Sequence, residues 1–191
     1  MANFTRKGFG QVEPNHLSAQ RTSQIYAQLP AKADIAVLEN GQFVKYDYPN
    51  KEVNFTGKGE WMMVFNEIKL YDDWRETYKD FAMQKKNYTE GGEITHGGLG
   101  PFPGQMVPRV IKTNVGDIFT TNTLGKANVD GKTVLDTGID EANLAVGKLL
   151  APNDKGYLAP VSDMNGDMVW QVAKYYDLPD GQKAVKVMRI K

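Results

Sequence analysis

The side chains able to do chemistry are few and scattered. The chain has two histidines, His16 and His96. Neither has a Ser, Cys or second His at a spacing that suggests a nucleophilic site. His96 sits in a glycine-rich stretch and reads as a solvated loop residue. Cysteine is absent, so this chain offers no thiol nucleophile, no thiolate metal site and no disulfide. Metal sites need clusters, and no H-x-H or H-x3-H pair occurs. Asp163-Met164-Asn165-Gly166-Asp167 faintly resembles a calcium loop. It lacks the acidic closing residue, and an Asn165-Gly166 turn between strands explains it better. Asp72, Asp73 and Glu76 could in principle supply paired carboxylates for glycoside hydrolysis. A charged, solvated connection is the simpler reading. Trp61, Trp74, Trp170, Tyr71 and Tyr176 could stack on a sugar, but at strand spacing such rings more often build a core or an interface. The reading is therefore of a protein that is not an enzyme and uses no cofactor and no metal.

Composition sets the remaining bounds. The 191 residues suffice for one good-sized domain or two small ones, and 41% of them are hydrophobic, as expected of a folded chain. The formal net charge of +0 gives no global attraction to nucleic acid. No run of about 18 apolar residues occurs, so no membrane partner is expected. The first residues lack the apolar region of a signal peptide, which predicts a protein made in the cytoplasm and not exported by that route.

The elements that must position any site are short strands. Turn signals recur every ~8–12 residues and helical windows are few, which predicts an all-β barrel or sandwich. Residues 1–30 are polar and poor in periodic apolar positions, and read as an extended arm with at most one helical turn, either disordered or ordered by a neighbouring chain. Residues 31–86 form a first β module, with Asn40-Gly41 as a hairpin signal. Residues 87–108 hold a Gly/Pro density that no regular element survives, and read as a projecting connecting loop. A phosphate cradle there lacks the required spacing. Residues 109–191 form a second β module. In its last strand Ala184, Val185, Val187, Met188 and Ile190 sit among Lys183, Lys186, Arg189 and Lys191, a basic character that reads as a charged guard on a sheet edge.

The two modules look related. Met63-Val64-Phe65-Asn66-Glu67-Ile68-Lys69-Leu70-Tyr71-Asp72 recurs as Met168-Val169-Trp170-Gln171-Val172-Ala173-Lys174-Tyr175-Tyr176-Asp177. A Gly-led segment precedes each copy, at Gly41 and Gly147, and a weaker third echo starts at Gly116. This predicts an internal duplication in which Phe65 and Trp170 are equivalent.

Three stretches carry a family resemblance: Gly10-Gln11-Val12-Glu13-Pro14-Asn15, Leu38-Glu39-Asn40-Gly41-Gln42-Phe43-Val44-Lys45-Tyr46-Asp47, and Val146-Gly147-Lys148-Leu149-Leu150. Together they resemble the capsid-associated, decoration-type head proteins of tailed bacteriophages. The resemblance implies an all-β virion protein, assembled in the host cytoplasm. It implies binding to the major capsid protein of the shell, often as a trimer or other homo-oligomer, without catalysis and without direct nucleic-acid or membrane contact. A tail- or fibre-associated role, or a carbohydrate-binding β module, is the alternative. Phe4, Arg6, Phe9, Leu17, Arg21, Ile25 and Tyr26 of the arm, with Leu99 and Phe102 of the loop, are the expected interface residues.

Overall fold

Strand propensity wins almost everywhere. The computed structural model describes residues 2–6, 10–35, 37–65, 83–85, 107–125 and 136–191. The strands are β1 (Asn3–Thr5), β2 (Val12–His16), β3 (Ile25–Tyr26), β4 (Val37–Glu39), β5 (Phe43–Asp47), β6 (Glu52–Asn54), β7 (Glu60–Val64), β8 (Met83–Lys85), β9 (Val110–Lys112), β10 (Ile118–Thr121), β11 (Asp136–Asp140), β12 (Leu149–Pro152), β13 (Leu158–Val161), β14 (Trp170–Asp177) and β15 (Lys183–Arg189). One short helix, α1 (Ser18–Thr22), and a 3-10 turn at Glu141–Leu144 interrupt them. The expected all-β class is what forms.

Two main sheets stack. One has five strands in the order β3-β9-β7-β5-β6, and the other has six in the order β13-β12-β14-β15-β10-β2. Two-stranded ribbons, β1-β11 and β4-β8, flank them. Between the sheets, Phe43, Met63, Phe65 and Ile111 meet Phe119, Trp170, Val172, Val185 and Val187 in one buried cluster. Trp170 stands edge-on to Phe119, with ring centroids 4.9 Å apart, and Phe43 lies 5.7 Å from Trp170.

The five-stranded sheet is buried on its other face too. Val44, Tyr46, Met62, Val64 and Val110 pack there under Ala31, Ile35 and Leu38. A strand covered on both sides has no polar face, which is why Trp61-Met62-Met63-Val64-Phe65 reads as a continuous apolar run. Among the described residues the six-stranded sheet has no such cover, and its strand β15 alternates: Val185 and Val187 are buried while Lys186 and Met188 are only half-buried.

The residues read as an arm are instead part of the body. β1 pairs with β11, β2 extends the six-stranded sheet beside β10, and β3 extends the five-stranded sheet beside β9. Phe4, Leu17 and Ala19 lie in the main core. The rest is held by a polar seam. The Gln11 amide donates to Asn122 Oδ1 at 2.7 Å, Thr121 Oγ1 donates to the Gln11 carbonyl at 2.8 Å, and Thr120 Oγ1 donates to Asn15 Oδ1 at 2.8 Å. The low apolar content of the segment misled because hydrogen bonds from buried threonines do much of the holding.

The Gly-led echoes are real and local. In each, a glycine of positive φ sits third in a turn: Gly41 (φ 82), Gly116 (φ 93) and Gly147 (φ 87). The turns close from Gln42 to Glu39 at 3.1 Å, Asp117 to Asn114 at 3.0 Å and Lys148 to Ala145 at 3.1 Å. A positive φ at that place is the type II pattern, which glycine takes without steric cost. Each glycine N–H then donates to a neighbouring strand: Gly41 to Val64 at 2.9 Å, Gly116 to Arg189 at 2.8 Å, Gly147 to Val172 at 2.8 Å.

The first and last of these turns open the same topology. β5 lies between β6 and β7, and β12 lies between β13 and β14, all antiparallel. Two expectations need correction. Asn40-Gly41 does not close a hairpin, since β4 pairs with β8 and not with β5. The hydrogen bonds also match Val64 with Val172, so Trp170 stands where Met62 does and not where Phe65 does. The resemblance of the two ten-residue stretches is therefore out of step with their pairing.

Candidate functional surface

The layers stack in one direction. Phe43 pairs with Met63 on the face of the five-stranded sheet that meets the six-stranded one. Their counterparts in the second module, Leu149 and Gln171, pair on the face that points away from the shared core. What the second sheet does for the first, nothing among the described residues does for the second.

On this open face one cross-strand row runs through all six strands. Val161 is opposite Leu149, Leu149 opposite Gln171, Gln171 opposite Met188, Met188 opposite Ile118 and Ile118 opposite His16. Four of the six are aliphatic or thioether side chains. Val161 is 37% exposed, and Leu149, Met188 and Ile118 are half-buried. Opposed side chains in antiparallel strands share a face, so the row is a mostly apolar band interrupted by Gln171.

A second row lies beside it: Lys174, opposite Lys186, opposite Thr120, opposite Glu13. Tyr176 anchors this row. Its hydroxyl lies 2.8 Å from Thr120 Oγ1 and 3.4 Å from Glu13 Oε2. The Lys174 ammonium is 5.0 Å and the Lys186 ammonium 5.9 Å from the centre of the Tyr176 ring. The basic final strand is thus not an edge guard: β15 lies inside the sheet, between β14 and β10.

A second cluster of charge is buried. Arg6 Nη2 contacts Glu39 Oε2 at 2.5 Å, and both side chains are wholly inaccessible. Burial pushes the Glu39 carboxyl above its ordinary value, and the Arg6 guanidinium and the Gly10 N–H pull it back. Burial also raises the nearby Tyr157 hydroxyl, and the Glu39 charge adds to the effect. A pair sealed from solvent cannot meet a substrate, and its place is structural.

The expected interface residues fare unevenly. Phe4, Arg6 and Leu17 are buried in the chain's own core and cannot present a surface. Arg21 is exposed on α1, and Ile25 and Tyr26 are half-buried against the two cores. Phe9, Leu99 and Phe102 lie outside the described residues, as do Asp72, Asp73, Glu76, His96, Tyr71, Trp74 and most of the Gly/Pro-rich stretch. Trp61 and Trp170 belong to the core and not to a sugar-stacking face. Among the described residues, no group of three or more His, Asp or Glu side chains could hold a metal ion. The Asp163 carboxylate instead accepts from the Asn165 N–H at 2.9 Å within its own turn. No helix among the described residues is long and apolar enough to cross a membrane.

Sequence reasoning missed the open face. Its signal was present in Ala184-Val185-Lys186-Val187-Met188, where alternation separates a core face from a polar-apolar one. Comparison with protein-family models, with curated proteins and with solved structures returns no match.

Proposed function

We propose that the protein is a non-catalytic structural component of a tailed-bacteriophage virion that seats the open face of its six-stranded sheet on the capsid shell and stabilises it. One observation carries the reading. The Leu149–Gln171 face is the counterpart of the Phe43–Met63 face, which in the first module is covered by a second β layer. A module built to be stacked, with its stacking face left uncovered by the described residues, fits a protein that completes its layers on a partner. The resemblance of residues 10–15, 38–47 and 146–150 to head decoration proteins supports the major capsid protein as that partner. Binding to the assembled shell would stabilise it by mass action.

Ile118→Glu and Leu149→Glu place a charge in the apolar band without touching the core. Each should lower the number of copies per particle, counted by quantitative proteomics of purified virions, while the free protein keeps its melting temperature. Wild-type copy numbers in the tens to hundreds per particle fit a shell role, whereas a few copies would point to the tail or neck. Unchanged incorporation of both variants would refute the use of this face.

A further inference from the structure

We infer that the Lys174–Lys186 pair is a docking point for carboxylate side chains of the protein partner. The inference rests on the open face being the binding face. The two lysines are directly opposite each other on neighbouring strands, and both ammoniums stand over the ring of Tyr176. Like charges placed opposite in a sheet repel. Among the described residues neither ammonium has an ion-pair partner, although Lys45, Lys112 and Lys183 each do. Glu13, the acid in the same row, has one carboxylate oxygen 3.4 Å from the Tyr176 hydroxyl and forms no ion pair with either lysine. The free fold therefore holds two ammoniums at one ring, neither of them in an ion pair among the described residues, on a ring whose hydroxyl is already tethered.

The chemistry of the surroundings selects the ligand. Next to the lysines runs the Val161–His16 row, mostly apolar, which suits a folded protein surface with an apolar centre and an acidic rim. A nucleic-acid strand fits less well. Base stacking needs an open ring face, and the Tyr176 ring is attended by both ammoniums. The chain's net charge of +0 adds no wider attraction for a polyphosphate.

The test uses the full-length protein and Lys174→Gln, Lys186→Gln and double variants. Binding is titrated against poly-L-glutamate, against oligothymidylate, and against shells of the major capsid protein, each at several salt concentrations. Wild type should bind poly-L-glutamate in preference to oligothymidylate. Each substitution should weaken binding to poly-L-glutamate and to shells roughly fivefold at low salt, and the double variant should lose most of the salt dependence. Thermal unfolding supplies the second readout: loss of the repelling pair should leave the melting temperature equal or higher, whereas a purely structural role for the lysines would lower it. Absence of poly-L-glutamate binding, preference for oligothymidylate, or unchanged shell affinity in the double variant would each overturn the inference. If Ile118→Glu abolishes shell binding while the double lysine variant binds normally, the open face stands and the carboxylate docking fails. If Ile118→Glu and Leu149→Glu both bind normally, the use of the open face fails, and the carboxylate docking with it.

Discussion

Replacing Arg6 by methionine strips the counter-charge from a carboxylate that has no route to water. Both side chains of the Arg6–Glu39 pair are fully inaccessible. Removing one partner of such a pair costs about 3–5 kcal/mol, because the other charge is left buried. In a chain of this length each kcal/mol moves the midpoint by ~2–4 °C, so the melting temperature at pH 7 should fall by roughly 6–20 °C. The pH dependence separates this cause from simple loss of packing. Burial already raises the Glu39 carboxyl, and Arg6 opposes that rise. Without Arg6, the folded-state value moves further above the unfolded one. A group raised in the folded state contributes stability below its unfolded value, near 4.5, and loses it as pH rises through the folded value. The Arg6→Met variant should therefore lie closer to wild type at pH 4 than at pH 7. Arg6→Met combined with Glu39→Leu should recover much of the loss, since a matched apolar pair removes the stranded charge. Urea unfolding at both pH values provides the measurement. A loss under 1 kcal/mol at pH 7, or an equal loss at both pH values, would refute the account.

Three further outcomes follow from the geometry. Native-state hydrogen exchange on the verified monomer should protect the β2 amides that bond to β10, because β2 is an integral strand and not an arm awaiting a neighbour; free exchange there would contradict the pairing. Gly156→Ala and Gly147→Ala should differ although both glycines have positive φ. A Cβ at Gly147 meets nothing and the change costs about 1–2 kcal/mol of backbone strain, whereas a Cβ at Gly156 overlaps the Phe43 carbonyl and should cost more in denaturant unfolding. Trp170→Ala, at the centre of the shared core, should cost about 3–5 kcal/mol and abolish two-state unfolding if the sheets depend on one packed interface.

Fold class was legible because turn chemistry is local. Gly41, Gly116 and Gly147 each announce a turn that only a residue at ease with positive φ closes readily, and a short strand follows each. Pairing was not legible, because it is set by partners far along the chain. Asn40-Gly41 carries a hairpin signature, yet Gly41 bonds to Val64 and the strands on its two sides join different sheets. The arm failed for a related reason. Its seam to Thr120, Thr121 and Asn122 consists of hydrogen bonds, and hydropathy is blind to them.

The repeat gives the sharpest lesson about the site. Aligned by residue type, Met63 meets Met168 and Phe65 meets Trp170. Aligned by hydrogen bonds, Val64 meets Val172. A slip of an odd number of residues exchanges the two faces of a strand, so the identity-based match would have put Trp170 on the face that meets the partner layer in the first module. The hydrogen bonds put Gln171 there, and Trp170 behind it in the core. The open face is therefore not an aromatic anchor exposed by accident. It is an apolar row of Val161, Leu149, Met188 and Ile118, polar enough through Gln171 and the flanking lysines to stay in water. That balance is what a protein must have if it folds alone and then binds a lattice.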